Sequence, residues 1–189
     1  MCGRRQVQAI SLQVDEITWG FMRRITILST GGTIEKSYVE ASGTVKNLGP
    51  KLPDVLKQLR SSNVEIVIES VMDKDSLDLT ASDLLALLVR VWALSNQQIP
   101  VIVTHGTDTM AQTAAYLEQN LIAVDIPVVL TGAMVPLGFE NSDAMQNITE
   151  SVMAIQFVKP GFYIVMHGEC HRANQVKKDV ESSRFVSSE

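Results

Sequence analysis

The chain has 189 residues, 46% of them hydrophobic and 20% charged, enough for one domain with a sizeable core. Its formal net charge is −5 and its basic residues pair only at Arg4-Arg5, Arg23-Arg24 and Lys177-Lys178, which argues against a nucleic-acid partner. It has no apolar run long enough to span a membrane, and its two cysteines, Cys2 and Cys170, sit near opposite ends, so a disulfide framework is not expected and a reducing, cytoplasmic compartment is.

Residues 1–21 lack the apolar stretch of a signal peptide, because Gln6, Gln8, Gln13, Asp15 and Glu16 interrupt them. Met22 stands just before the first clear strand, so residues 1–21 read as an N-terminal extension and 22–189 as the domain. A short amphipathic helix packed outside the sheet is the alternative for that extension. Residues 24–29 form the first expected strand. The polar stretch after them contains Gly43 and Gly49 and has the length of a functional lid. Leu52, Val55, Leu56 and Leu59 share one helical face over residues 51–62. Residues 63–69 alternate and are β-branched, giving strand two.

An acidic loop at 73–78 leads to Thr80, a helix cap with Asp83 three residues on, and that helix runs to about Ser95. Residues 99–104 are continuously apolar, as befits a strand buried on both faces. A helix over 108–120 would carry Asp108 in its first turn. Strand four covers 126–131, a helix covers 143–157, and strand five covers 161–166. Residues 181–189 read as a polar tail. Strands alternating with helices predict an α/β fold: a three-layer, Rossmann/flavodoxin-like parallel sheet with flanking helices and right-handed crossovers.

Ligands bind such sheets beyond the carboxyl ends of the strands. Two strands here stop at glycines flanked by hydroxyls, Ser29-Thr30-Gly31-Gly32-Thr33 and Thr104-His105-Gly106-Thr107-Asp108-Thr109. Glycines let a backbone approach a ligand closely, and a threonine hydroxyl is a nucleophile once its proton is removed. Backbone N–H groups at such turns, that of Thr107 foremost, can hold an oxyanion. The bland reading of the first is a strand-to-loop turn with a capping threonine, and of the second a helix N-cap followed by a first-turn acid. A phosphate cradle is the rival reading, although no G-x-G-x-x-G or G-x-x-x-x-G-K-[ST] pattern is present. Thr131-Gly132-Ala133-Met134 is a third turn of the same kind. His167-Gly168-Glu169-Cys170-His171 offers zinc-ligand types, but it is a single cluster without H-E-x-x-H spacing, so no metal is expected; His167 is expected beside the pocket or capping a turn.

These three turns, in this order, resemble the bacterial-type, threonine-dependent L-asparaginase family. Its T-G-G-T-I is Thr30-Gly31-Gly32-Thr33-Ile34 here, its H-G-T-D-T-M is His105–Met110 in full, and its G-A-M-x-P is Gly132-Ala133-Met134-Val135-Pro136. The resemblance covers about residues 24–178 and corresponds to the family's N-terminal domain only. It implies hydrolysis of the side-chain amide of L-asparagine to aspartate and ammonia, without cofactor, with glutamine as a side substrate, in a homo-oligomer.

By the same resemblance Thr33 is the nucleophile, Thr107 the second threonine, and Asp108 the carboxylate for the substrate's α-amino group. Lys178 completes that pair, with Lys177 as the neighbouring alternative. Tyr38 partners the nucleophile from the lid, and Ser70 meets the α-carboxylate. Gly32, Gly106 and Ala133 line the substrate site. Val71 and Val135 depart from the glutamine and arginine common in the family, and the smaller C-terminal domain is not represented. The alternatives carried forward are an amino-acid-binding or sensing module and a nucleotide-binding Rossmann-like domain.

Overall fold

The computed structural model describes residues 23–39, 43–47, 52–60 and 63–188; the extension expected over 1–21 lies outside the described residues, with Met22 and Cys2. In chain order the elements are β1 (Arg23–Gly31), the hairpin β2 (Lys36–Val39) and β3 (Thr44–Asn47), α1 (Leu52–Leu56), β4 (Val64–Lys74), α2 (Ala81–Ser95), β5 (Val101–Thr104), α3 (Met110–Asn120), β6 (Pro127–Thr131), α4 (Ala144–Ala154), β7 (Gly161–Met166), β8 (Glu169–Arg172), β9 (Val176–Asp179) and β10 (Arg184–Ser187).

Six strands form one sheet in the order β4-β1-β5-β6-β7-β8, parallel except for β8, which runs antiparallel to β7. The interior strands β5 and β6 are almost wholly buried, which is why their sequences do not alternate. Side chains leave the sheet in two directions and make two cores. Leu28, Val101, Val103, Val128 and Leu130 meet Leu87, Val91 and Leu94 of α2 and Met110, Ala114 and Leu117 of α3. Ile25, Ile27, Ile102 and Val129 meet Leu52 of α1 and Ala144, Ile148 and Val152 of α4 on the other face. The result is the expected helix–sheet–helix sandwich. No helix among the described residues is long and apolar enough to cross a membrane.

The Thr80 cap is present in full. Its hydroxyl accepts from the Asp83 N–H at 3.4 Å, and the Asp83 carboxylate accepts from the Thr80 N–H at 2.8 Å. Elsewhere the elements differ from the sequence reading in instructive ways. The polar stretch after β1 holds the β2–β3 hairpin, with Tyr38 opposite Val45. The helix expected over 51–62 spans only Leu52–Leu56, because the chain turns at Leu56, where the Leu59 N–H bonds to its carbonyl at 3.1 Å. Strand β4 continues to Lys74 rather than ending near Glu69. Helix α3 starts at Met110, so Thr107 and Asp108 lie in the turn before it and no acid occupies its first turn. The polar tail contains β10, which pairs antiparallel with β9 and buries Phe185 in the core. Ser183, at φ 51, makes the sharp turn between those strands.

Candidate active site

Strand β1 ends at Gly31 and Gly32 follows it, and their φ values of 92° and 80° suit glycine and few other residues. A Cβ placed on Gly32 would lie 2.5 Å from the Gly106 nitrogen, so the two turns touch backbone to backbone. The residues immediately after these glycines are Thr33 and Thr107. Both belong to turns at the carboxyl ends of adjacent parallel strands, β1 and β5, where the parallel part of the sheet reverses its order. Further bonds stitch the turns together. The Thr30 hydroxyl donates to the Thr104 carbonyl at 2.9 Å, and the His105 N–H donates to the Thr131 carbonyl at 2.8 Å.

Thr107 is buried and tightly wired. Lys178 Nζ donates to Thr107 Oγ1 at 2.9 Å and to Asp108 Oδ1 at 2.6 Å. The β9–β10 pairing delivers that lysine: Lys178 stands opposite Phe185 and is partly buried, whereas Lys177, one residue earlier on the alternating strand, is exposed. Thr33 differs. It opens a single 3-10 turn, Thr33–Glu35, and is only partly buried.

His105 lies beneath Gly106, its Nδ1 2.8 Å from the Gly106 carbonyl. Burial pulls its pKa below the ordinary value of 6.5, and its Nε2 has no partner among the described residues. The third turn is held by Asp143, which accepts from the N–H groups of Met134 and Val135, from Asn147 Nδ2 at 2.8 Å and pairs with His167 Nε2 at 2.7 Å. Burial alone would raise the Asp143 pKa, but these donors outweigh it and the net shift is downward. His167 therefore braces a turn next to the site, at the unusual φ of 55°.

Three expected contacts are placed differently. Ser70 sits within β4, opposite Ser29 and exposed, not after the strand's end. The serine in the turn that follows β4 is Ser76, buried at 4% exposure. A Cβ on Gly106 would lie 2.6 Å from Ser76 Oγ, and that oxygen has no partner among the described residues. Asp75 sets this turn by accepting from the Leu77 N–H, and Thr109 Oγ1 donates to the Ser76 carbonyl at 2.9 Å. The sequence signal was available: an Asp before a short polar turn is a cap in the same sense as Thr80. Tyr38 is 56% exposed on β2, and its hydroxyl lies 4.0 Å from where a Cβ on Gly43 would stand, within the hairpin itself. Ala133 is fully buried with Ile102, Val129 and Ala144, which places its methyl in the core rather than in the crevice.

The model of the domain described as "Asparaginase, N-terminal" matches residues 24–187. The chain belongs to the asparaginase family. It is 26% identical over 155 residues to the L-asparaginase of Thermococcus kodakarensis, covering 82% of this chain and 47% of that protein. It is 32% identical over 174 residues to a glutamyl-tRNA(Gln) amidotransferase subunit from Pyrococcus abyssi, covering 85% and 39%. The solved structure of the Thermococcus L-asparaginase superposes with a TM-score of 0.77 at 27% identity, over 87% of this chain and 51% of that one. The chain thus spans about half, or less, of the length of the relatives it matches, over the part of the asparaginase fold that holds both threonine turns.

Proposed function

We propose that this asparaginase-family domain hydrolyses the side-chain amide of L-asparagine, with Thr33 as nucleophile. The observation that carries the reading is the Lys178–Thr107–Asp108 cluster, set beside the contact between the Thr33 and Thr107 turns. Thr33 Oγ attacks the amide carbon, its proton passes by way of the Thr107 hydroxyl to the departing nitrogen, and the C–N bond breaks as the acyl-enzyme forms. Ammonia leaves after taking a proton, for which the Thr107 hydroxyl, backed by the Lys178 ammonium, is the nearest wired donor. Water then attacks the ester, aspartate departs and Thr33 regains its proton. Backbone N–H groups at the glycine turns are suited to the oxyanion of both steps. Asp108 carries the charge for the substrate's α-amino group, and Ser76, rather than Ser70, offers its free hydroxyl to the α-carboxylate.

A homo-oligomer is part of this reading, and the outward face of α2, where Leu85, Val89 and Trp92 are each more than half exposed, is surface that such assembly would cover. The family likeness to an amidotransferase component favours glutamine as the second amide to test.

Ammonia release from asparagine and glutamine by the native chain and by Thr33→Ala tests the proposal. The expected result is release by the native chain and a loss of about 10⁴-fold or more in the variant. Well-folded native protein that is stabilised by aspartate but releases no ammonia would instead be an amino-acid-binding module. Tight ATP or NAD binding without any asparagine effect on melting would favour the nucleotide-binding alternative.

A further inference from the structure

The parallel register lines up four hydroxyl residues across the carboxyl end of the sheet: Ser70 opposite Ser29, Ser29 opposite Thr104, and Thr104 opposite Thr131. Side chains two apart on a strand share a face. Ser29 follows Ile27, Thr104 follows Ile102 and Thr131 follows Val129, and all three apolar residues belong to the core beneath α1 and α4. Ser29, Thr104 and Thr131 therefore face that core, while Ser70 on the edge strand is exposed. Thr131 is satisfied by the Val165 carbonyl at 2.8 Å, and Thr104 Oγ1 has no partner among the described residues. Ser29 differs from both, because its Oγ donates to a carboxyl group, Glu35 Oε1, at 2.6 Å.

Glu35 is 3% exposed and ends the 3-10 turn that Thr33 begins. The turn's own bonds are slight: the Glu35 N–H reaches the Gly32 carbonyl at 3.2 Å, and the Lys36 N–H reaches the Thr33 carbonyl. One 3-10 turn entered through a glycine at φ 80° has little stiffness of its own. Outside contacts hold it: Ile34 is buried in the core beneath α1 and α4, Glu35 reaches inward to β1 with a polar, directional bond, and Lys36 reaches across to Asp75 at 2.5 Å, beside Ser76. An apolar residue would fill the inward position without desolvating an acid. A carboxyl docked on one strand hydroxyl instead fixes the turn at one height above the sheet.

We propose that Glu35 is a positioning residue: through Ser29 it fixes the Thr33 turn and thereby sets where the Thr33 hydroxyl stands. The kinetic consequence rests on the amidohydrolase reading; the structural one does not. The test compares the native chain with Glu35→Ala, Ser29→Ala, Glu35→Gln and the Ser29→Ala/Glu35→Ala double variant. Amide hydrogen exchange at Glu35 and Lys36 should speed up about tenfold in both alanine variants and stay near native in Glu35→Gln, whose side-chain oxygen still accepts from Ser29. In ammonia release, the alanine variants should lose about 10- to 100-fold in kcat with KM unchanged, as a displaced reacting group does. Glu35→Gln should restore kcat to within about threefold, and the double variant should be no worse than the worse single one.

Unchanged exchange in Glu35→Ala overturns the proposal. So does a raised KM with intact kcat, or a double variant whose losses multiply. A native chain that releases no ammonia from either amide would sink the hydrolase reading alone, while the exchange data would still decide the role of Glu35.

Discussion

The two walls of the crevice are built on opposite plans. The Thr107 wall is held by side-chain charge: one lysine from β9 reaches both the hydroxyl and the neighbouring carboxylate, and the threonine is buried. The Thr33 wall is held from beneath, through Glu35 and Ser29, and presents a threonine that is only partly buried. A general acid benefits from a fixed, charged neighbour, whereas a nucleophile must present a free oxygen to an incoming carbonyl. The asymmetry fits the division of labour proposed above between proton transfer at Thr107 and attack at Thr33.

The sharpest way to break the comparison is at the wired wall. Thr107→Val and Lys178→Met should each lower kcat about 10²- to 10⁴-fold, the usual range for a lost proton-transfer partner. Combining them should cost little beyond the worse single change, because Lys178 would act through Thr107. Multiplying losses, read from ammonia release, would separate the lysine from the threonine.

The contact between the walls comes next in size. Gly32→Ala would drive a Cβ to 2.5 Å from the Gly106 nitrogen at a φ of 80°, so the turns must part. A displacement of about 1 Å is expected to lower kcat about 10²-fold. Gly43→Ala is the matched control, since its φ of 64° is strained too but its nearest neighbour is the Tyr38 hydroxyl at 4.0 Å. It should lower the melting temperature slightly and leave kcat alone. Equal kinetic losses in the two variants would mean that backbone strain, not the contact, matters.

A smaller effect separates two serines. Ser76→Ala should raise KM about tenfold, on the order of one hydrogen bond to a charged group, with kcat little changed. Ser70→Ala, on the exposed edge of β4, should leave both constants as they are. The reverse outcome would return the α-carboxylate to Ser70.

Those serines also show how far the sequence could be read. Strand ends marked by glycine and threonine were legible, since a conformational requirement leaves a compositional trace. This placed Thr33, Thr107 and Asp108 at neighbouring strand ends, and the family resemblance selected Lys178. The end of β4 carries no glycine: Ser70-Val71-Met72 continues as strand, and the only local mark of its end is Asp75, whose side chain caps the following turn by accepting from the Leu77 N–H. The direction of Tyr38 depends on the pairing of β2 with β3, and whether Lys178 or Lys177 faces inward depends on the register with Phe185. The burial of Glu35 is not legible in the sequence because nothing local marks an acid as buried; only the packing of the turn against β1 does.

The smallest effect is one of stability against pH, and it has opposite signs for two carboxyl groups near the crevice. Burial raises the pKa of Glu35 above its usual 4.5, against the lowering effect of the Ser29 hydrogen bond and with a further push from Asp73. Its folded state therefore binds a proton more tightly than the unfolded chain. The stabilisation that follows is complete below the unfolded pKa and is lost as pH rises through the folded one. Glutamine cannot lose that proton, so the melting temperature of Glu35→Gln should gain on the native chain as pH rises from about 4 and then level off. Asp143 behaves the other way. Its folded pKa lies below the usual 3.8, so its contribution is present above the unfolded value and fades as pH falls through the folded one. The deficit of Asp143→Asn should accordingly shrink in acid. Thermal melts of both variants across that range decide the matter: parallel curves for Glu35→Gln and the native chain would mean that the carboxyl beneath Thr33 is not desolvated, and that the turn is held by something other than its bond to Ser29.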